Sequence, residues 1–408
     1  METQHTMLQQ AEHPERMKAV LVHNFYQRAG GEDQVFAAEA DLLESRNQEV
    51  VRYSVHNDRL TGQRKVSMAS STVWNGTAYR ELRTLIRRER PQVVHFHNTF
   101  PLISPAAYYA ARVESVPVVQ TLHNYRLICP NALFLRKGKV CESCLGKKVP
   151  WPGVVHACYR NSRSASGAVA AMLTAHRAMG TWTGAVDVYI ALTEFARQKF
   201  IQGGLPEERI VVKPNFLYSD PGPGDGNGGF ALFVGRLSRE KGMETLLPAW
   251  KNVGKSVTLK IVGDGPLAPE VMSASGRFRG IEWLGIQPKA RVLELMKEAR
   301  FLVFPSVWYE GFPMVFAESY AAGLPVIASN LGSMSSLVDH GRTGLHFKPG
   351  NPGNLIAQVK WALEHPAELA RMRREARKEF EAKYTAEKNY SRLMEIYRLA
   401  TEKSGAQR

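Results

Sequence analysis

Short apolar runs with no polar alternation recur along the chain, each followed by a longer stretch of helical spacing. In the first half they fall at 19–23, 50–53, 93–96, 118–121, 188–191 and 210–213, with helical patterns such as 33–44 and 79–89 between them. In the second half they fall at 230–234, 258–262, 281–284, 301–305, 326–328 and 345–347. An apolar run of this kind predicts a strand buried on both faces, and an intervening helix returns the chain for parallel pairing. The pattern therefore predicts an α/β chain of two doubly wound domains, each with a ligand crevice at the carboxyl ends of its strands.

The segment PGPGDGNGG at 221–229 suits no core element and predicts a surface loop beside the domain boundary. The expected organisation is a loose polar tail at 1–16, an N-terminal domain at 17–215 and a second domain at 216–385. A terminal helix at 386–408 is expected to pack back on the first domain. The 408 residues suit two cores. The tail has no apolar segment of the signal-peptide kind, and the longest small, apolar stretch, 167–182, is broken by His176 and Arg177. These features predict a cytoplasmic protein. The net charge is +15, with both halves basic. Such a surface attracts nucleic acid, anionic lipid or phosphorylated substrates alike. With no arginine–aromatic RNA motif or helix-turn-helix signature, nucleic acid is not the expected partner.

Four motifs carry chemistry. Glu310-Gly-Phe-Pro-Met follows the buried run at 301–305 and opens a helical pattern that holds Glu318 about one turn in. Gly311 and Pro313 permit a tight turn with backbone N–H groups aimed at a ligand, and two carboxylates at one crevice suit vicinal hydroxyls. Gly235-Arg236 and Lys241-Gly242 follow the run at 230–234 and place two cations five residues apart, a pairing suited to a diphosphate. Gly263-Asp-Gly265 ends another strand, and Gly30-Gly31-Glu32-Asp33 separates the first strand from the first helix. Taken singly, each also fits a plain connecting turn or ordinary surface charges.

Taken in order, and with His123 in Thr121-Leu-His-Asn, these motifs resemble the retaining glycosyltransferases of the GT-B fold, glycosyltransferase family 4 (glycosyl transferases group 1). The resemblance runs from Lys18 through nearly the whole chain. It implies two Rossmann-like domains facing across a cleft, with a nucleoside-diphosphate sugar, UDP or GDP, bound mainly by the second. Arg236 and Lys241 would then neutralise the diphosphate, and Glu318 would hold the ribose. Glu310 and the backbone of Phe312, Pro313 and Met314 would hold the donor sugar. Gly30, Gly31, Gly235, Gly263, Gly265 and Gly311 would line the donor, the base would lie near Gly285, and His123 would reach the sugar from the first domain. The family needs no catalytic metal.

His95 and His97 share one side of an extended run, as structural histidines or as a metal or ligand site. All four cysteines, Cys129, Cys141, Cys144 and Cys158, lie in an insertion at 129–158, with a two-residue knuckle gap between the middle pair. A structural zinc, disulfides, an iron–sulfur cluster and free thiols all remain open, with the cytosolic setting against disulfides. The acceptor, a glycan or a lipid-linked sugar of cell-envelope or exopolysaccharide synthesis, is expected on the first domain. Arg80, Arg83, Arg87, Arg88 and Arg90, together with 167–182, offer contact with an anionic membrane at its inner face, although 167–182 also suits a buried helix. Two rival classes are a nucleotide-sugar epimerase of similar fold and an inactive sugar-binding module.

Overall fold

The computed structural model of the protein describes residues 16–27, 30–60 and 65–406. Apart from Arg16, the tail at 1–16 lies outside them. The first half forms β1 (Lys18–Phe25), β2 (Glu49–His56), β3 (Val93–Asn98), β4 (Val118–Leu122), β5 (Leu135–Arg136), β6 (Lys139–Val140), β7 (Val188–Ala191) and β8 (Ile210–Val212). The second forms β9 (Phe230–Val234), β10 (Thr258–Val262), β11 (Ile281–Gly285), β12 (Phe301–Phe304), β13 (Val326–Ser329) and β14 (Gly344–Phe347). Among the described residues the strands make two six-stranded sheets, ordered β2-β1-β3-β4-β7-β8 and β11-β10-β9-β12-β13-β14, and a β5–β6 hairpin. Among the described residues every strand pairing within the two large sheets is parallel.

The absence of polar alternation has a direct cause. All six residues of β3, all five of β4 and all four of β12 are buried, because helices cover both faces of each sheet. Val20, Val22 and Phe96 point into one core of the first sheet, and Ala19, Leu21 and Val119 into the other. Leu232 and Leu302 against Phe233 and Val303 divide the second sheet in the same way.

In each sheet the chain builds outward on one side and then crosses to the other. The reversal falls between β1 and β3 in the first sheet and between β9 and β12 in the second. Crevices at such reversals are where open parallel sheets bind ligands. The loops after β1, β9 and β12 carry Gly30-Gly31, Gly235-Arg236 and Glu310 respectively, and Asn98 ends β3.

The C-terminal helix Ala386–Ala406 lies against the first sheet. Tyr390, Leu393 and Tyr397 join the core that holds Leu21 and Phe36, and the Tyr397 hydroxyl meets His95 Nδ1 at 2.9 Å. The glycine-rich loop at 221–229 is held closely: Gly224, Gly226 and Gly228 donate backbone hydrogen bonds to Ala322, Lys297 and Glu298 at 2.9–3.0 Å. The stretch at 167–182 belongs to the helix Arg163–Ala178 and the turn after it, with Val169, Met172 and Leu173 in the core. His176 is buried between Thr181 Oγ1 and the Val73 carbonyl, at 2.9 and 2.8 Å. No helix of the described residues is long and apolar enough to cross a membrane.

Candidate active site

The second sheet supplies one wall. Glu310 leaves the loop after β12 and is 5% exposed. Its Oε1 accepts from Lys241 Nζ at 2.7 Å, Ser306 Oγ at 2.6 Å and Trp308 Nε1 at 2.8 Å. Among the described residues Oε2 takes no hydrogen bond, so the carboxylate is fixed through one oxygen and offers the other to the cleft. Lys241 is positioned further by the rings of Phe304 and Trp308, 5.3 and 5.6 Å from its Nζ. Glu318, also 5% exposed, sits on the helix Met314–Ala321 and is ion-paired with Lys289. Arg236 is exposed and has no carboxylate partner among the described residues. Gly263 has φ +133°, and a Cβ there would lie 2.0 Å from the Gly235 carbonyl oxygen, so the turns after β9 and β10 touch backbone to backbone. Gly265 packs similarly on Leu237, and Gly285 ends β11 with open space around it.

The first sheet supplies the facing wall. Gly311 sits so close to the His123 carbonyl that a Cβ would come within 2.8 Å of its oxygen, and one on Gly31 would meet Met314 Cγ at 3.6 Å. Across the same seam Tyr125 Oη donates to the Glu310 carbonyl at 3.2 Å, and Asn215 Nδ2 to that of Phe312, also at 3.2 Å.

Behind His123 lies a buried polar chain. His123 Nε2 is 3.0 Å from His97 Nδ1, His97 Nε2 is 3.4 Å from Glu39 Oε2, and Glu39 Oε1 accepts from Lys213. Burial holds the His97 and His123 imidazoles well below their usual pKa, so both are neutral. Glu39, His95 and His97 are the group of potential metal ligands, among the described residues, whose donor atoms come within 4.8 Å of one another. Lys213 already neutralises Glu39, and Thr121 and Tyr397 occupy both His95 nitrogens at 2.8 and 2.9 Å, which makes His95 structural.

The second half, residues 220–379, matches the family model "Glycosyl transferases group 1", and residues 22–218 match "Glycosyltransferase Family 4". The chain belongs to glycosyltransferase family 4. An uncharacterized glycosyltransferase of Methanocaldococcus jannaschii is 31% identical over 204 residues, 49% of this chain and 57% of that one. A glycogen synthase of Mycobacterium tuberculosis is 33% identical over 152 residues, 36% of each chain. The matched stretches thus span only about a third to somewhat over half of these relatives' lengths. The solved Anabaena HepE in complex with UDP covers 93% of this chain and 99% of its own, with a TM-score of 0.67 at 17% identity, which marks the GT-B fold.

In this glycosyltransferase Gly31 and His123 of the first half meet Met314 and Gly311 of the second across one seam, beside the Tyr125–Glu310 hydrogen bond. The wide surface groove between the helices Met243–Val253 and Ala268–Arg277 is lined by none of them. Sequence reasoning missed Ser306 and Trp308, although with Glu310 they alternate at every second position, the spacing that puts side chains of an extended segment on one side. It also missed Lys289, Tyr125, Asn215, Glu39 and Lys213, which reach their partners across 29 to 185 positions and leave no local signal.

The cysteines sit on and around the β5–β6 hairpin, whose turn uses Lys137 and Gly138 at positive φ. None of them forms a disulfide, and among the described residues no three of their sulfurs lie as close together as the donor atoms of the Glu39 group. Cys141 Sγ turns to Ser143 Oγ at 3.4 Å and Cys144 Sγ to the Pro150 carbonyl at 3.8 Å. Burial, with the other thiols nearby, pushes Cys144 up to about 12.

Proposed function

We propose that this glycosyltransferase moves a hexose from a UDP- or GDP-sugar to a hydroxyl of a glycan or lipid-linked acceptor in cell-envelope or exopolysaccharide synthesis, with retention at the anomeric carbon. The observation that carries the reading is Glu310, locked by Lys241, Ser306 and Trp308 on one oxygen and open on the other, with Arg236 exposed and without a carboxylate partner among the described residues. HepE has been solved with UDP and with UDP-glucose, which supports a nucleotide-sugar donor here.

In this scheme the C1–O bond of the donor breaks and its electron pair leaves with the diphosphate. Arg236 and Lys241 meet the growing negative charge, each worth about 2.7–4 kcal/mol if it acts like an oxyanion-hole donor. Glu318 holds the ribose hydroxyls, exchanging its contact with Lys289. Glu310 Oε2 and the turn at Phe312, Pro313 and Met314 hold the sugar, and the base lies by Gly285. His123 faces the sugar from the other wall, with its Nε2 hydrogen-bonded to His97 Nδ1. The acceptor oxygen then bonds to C1 on the face the diphosphate left, and the cations do the electrostatic work without a catalytic metal. Exposed Arg80, Arg87, Arg88 and Arg90 support placement at the inner face of an anionic membrane, although Arg87 is shared with Glu114 and Arg88 with Glu89.

A thermal-shift panel of UDP- and GDP-sugars selects the donor, because a bound donor raises the melting temperature. With that donor, Arg236→Ala and Lys241→Ala are each expected to lower turnover about 10²–10³-fold while the protein stays folded. Near-normal turnover in either variant rejects the reading.

A further inference from the structure

The cleft holds a carboxylate that the scheme above does not use. Glu32 follows Gly30-Gly31 in the first turn of the helix Gly31–Ser45 and is half-buried. Its Oε1 accepts from Asn98 Nδ2 and its Oε2 from Asn124 Nδ2, both at 3.1 Å, and the Tyr26 hydroxyl also hydrogen-bonds to it. These partners come from the end of β3 and the segments after β4 and β1, so the carboxylate stands at the chain reversal of the first sheet.

Its setting differs from that of the other acids around the cleft. Glu310 has Lys241, Glu318 has Lys289, Glu39 has Lys213, and Asp33 has His23 Nε2 at 2.7 Å. Glu32 has only neutral amide and phenol donors among the described residues. The nearby Arg126 is engaged elsewhere, donating to the Pro130 carbonyl and lying over the Phe100 and Tyr159 rings, 4.3 and 4.9 Å from their centres. A partly desolvated carboxylate that no cation contacts among the described residues is costly to the fold, and such groups concentrate at functional sites. Its neighbours also bring it to the donor side. Gly31 abuts Met314, and Asn124 follows His123, whose carbonyl faces Gly311.

The geometry points to Glu32 as the residue that receives the acceptor, accepting a hydrogen bond from a hydroxyl of a neutral, polyhydroxylated molecule on the N-terminal wall. This rests on the glycosyl-transfer reading and deepens it. An acceptor that put a phosphate or carboxylate here would be repelled, whereas a sugar hydroxyl adds a further neutral donor to the amides and phenol already on the carboxylate. In the step itself the held hydroxyl oxygen bonds to C1 as the C1–O bond to the diphosphate breaks, and the hydroxyl proton leaves on a departing phosphate oxygen. Glu32 orients the nucleophile. The charged and titratable groups facing it are Asp33 on its own helix, Tyr26 after β1 and Arg126 after β4. Burial pushes its carboxyl up to about 7, so the accepting form is lost just below neutral pH.

The test measures transfer from the nucleotide sugar selected by thermal shift to octyl glucoside, octyl galactoside and octyl mannoside, whichever the wild type uses. Glu32→Gln is expected to raise the acceptor KM about 10- to 100-fold, the usual effect of losing a charged hydrogen-bond partner. Glu32→Asp should recover part of the loss, and both variants should still be stabilised by the donor. In the wild type the acceptor KM should rise as pH falls from 8 to 6, and in Glu32→Gln it should stay level. A Glu32→Gln KM within twofold of wild type overturns the inference. If the variant does not fold, a wild-type acceptor KM that is flat over the same pH range overturns it equally. A wild type that transfers to no acceptor and hydrolyses no nucleotide sugar defeats the glycosyl-transfer reading itself, which separates the two failures.

Discussion

Gly263 and Gly285 both have positive φ, +133° and +65°, and both close strands that point at the proposed nucleotide. Their surroundings separate them. A Cβ on Gly263 would strike the Gly235 carbonyl at 2.0 Å, whereas one on Gly285 would meet nothing within 4 Å. Gly263→Ala is therefore expected to add overpacking of the order of 1–3 kcal/mol to its backbone strain. Gly285→Ala carries only the left-handed penalty of about 1–2 kcal/mol. Thermal denaturation of the two variants should rank them in that order, and equal melting temperatures would contradict the contact. At this scale the second domain was legible because its chemistry is contiguous: Gly235, Arg236 and Lys241 fall within seven residues, as does Glu310 through Met314. The sequence could not reveal that Lys241 reaches Glu310, 69 positions away, or that Lys289 covers Glu318.

The strands were read correctly from apolar runs because burial on both faces leaves no polar positions to confuse the period. The two-residue strands β5 and β6 escaped that reading, since a turn signal is all that such short elements show. Composition marked 221–229 as a surface loop but could not show its hydrogen bonds to Lys297, Glu298 and Ala322. The thiols at the hairpin pose a question of metal content that zinc analysis of the purified protein answers. The ends of β3 and β4 make a second prediction. Burial brings His95 down to about 4 and holds His97 and His123 well below the usual imidazole range. The unfolded chain therefore binds more protons at these sites, and their stabilisation is complete above pH ~6.5 and lost as pH falls toward 4. For His95 alone the loss from pH 7 to pH 5 is about 2 kcal/mol. Glu32 acts in the opposite sense, since its raised carboxyl gains stability as pH falls through 7. His176 and His346 are lowered by burial too, and Asp187 is raised, so with five imidazoles against two carboxyls the melting temperature should drop from pH 7 to pH 5, and more steeply in Glu32→Gln. A melting temperature that holds level or climbs over that range would contradict the assignment of neutral, buried imidazoles.

On the scale of the whole molecule, two similar sheets present unlike chemistry to one cleft. The second offers cations and two anchored carboxylates, suited to a diphosphate and its sugars. The first offers neutral imidazoles, amides and the lone acid Glu32, suited to an uncharged polyol. The seam between them is backbone-tight at Gly311 and His123 and is tied by Tyr125 and Asn215. A donor held on one wall would thus lie directly against the other. The most direct test of this arrangement is a crystal structure of the protein with the nucleoside diphosphate of its selected donor. The expected result puts the phosphates on Arg236 and Lys241, the ribose on Glu318 and the base beside Gly285. A nucleotide bound away from that turn and that pair of glutamates would contradict the account.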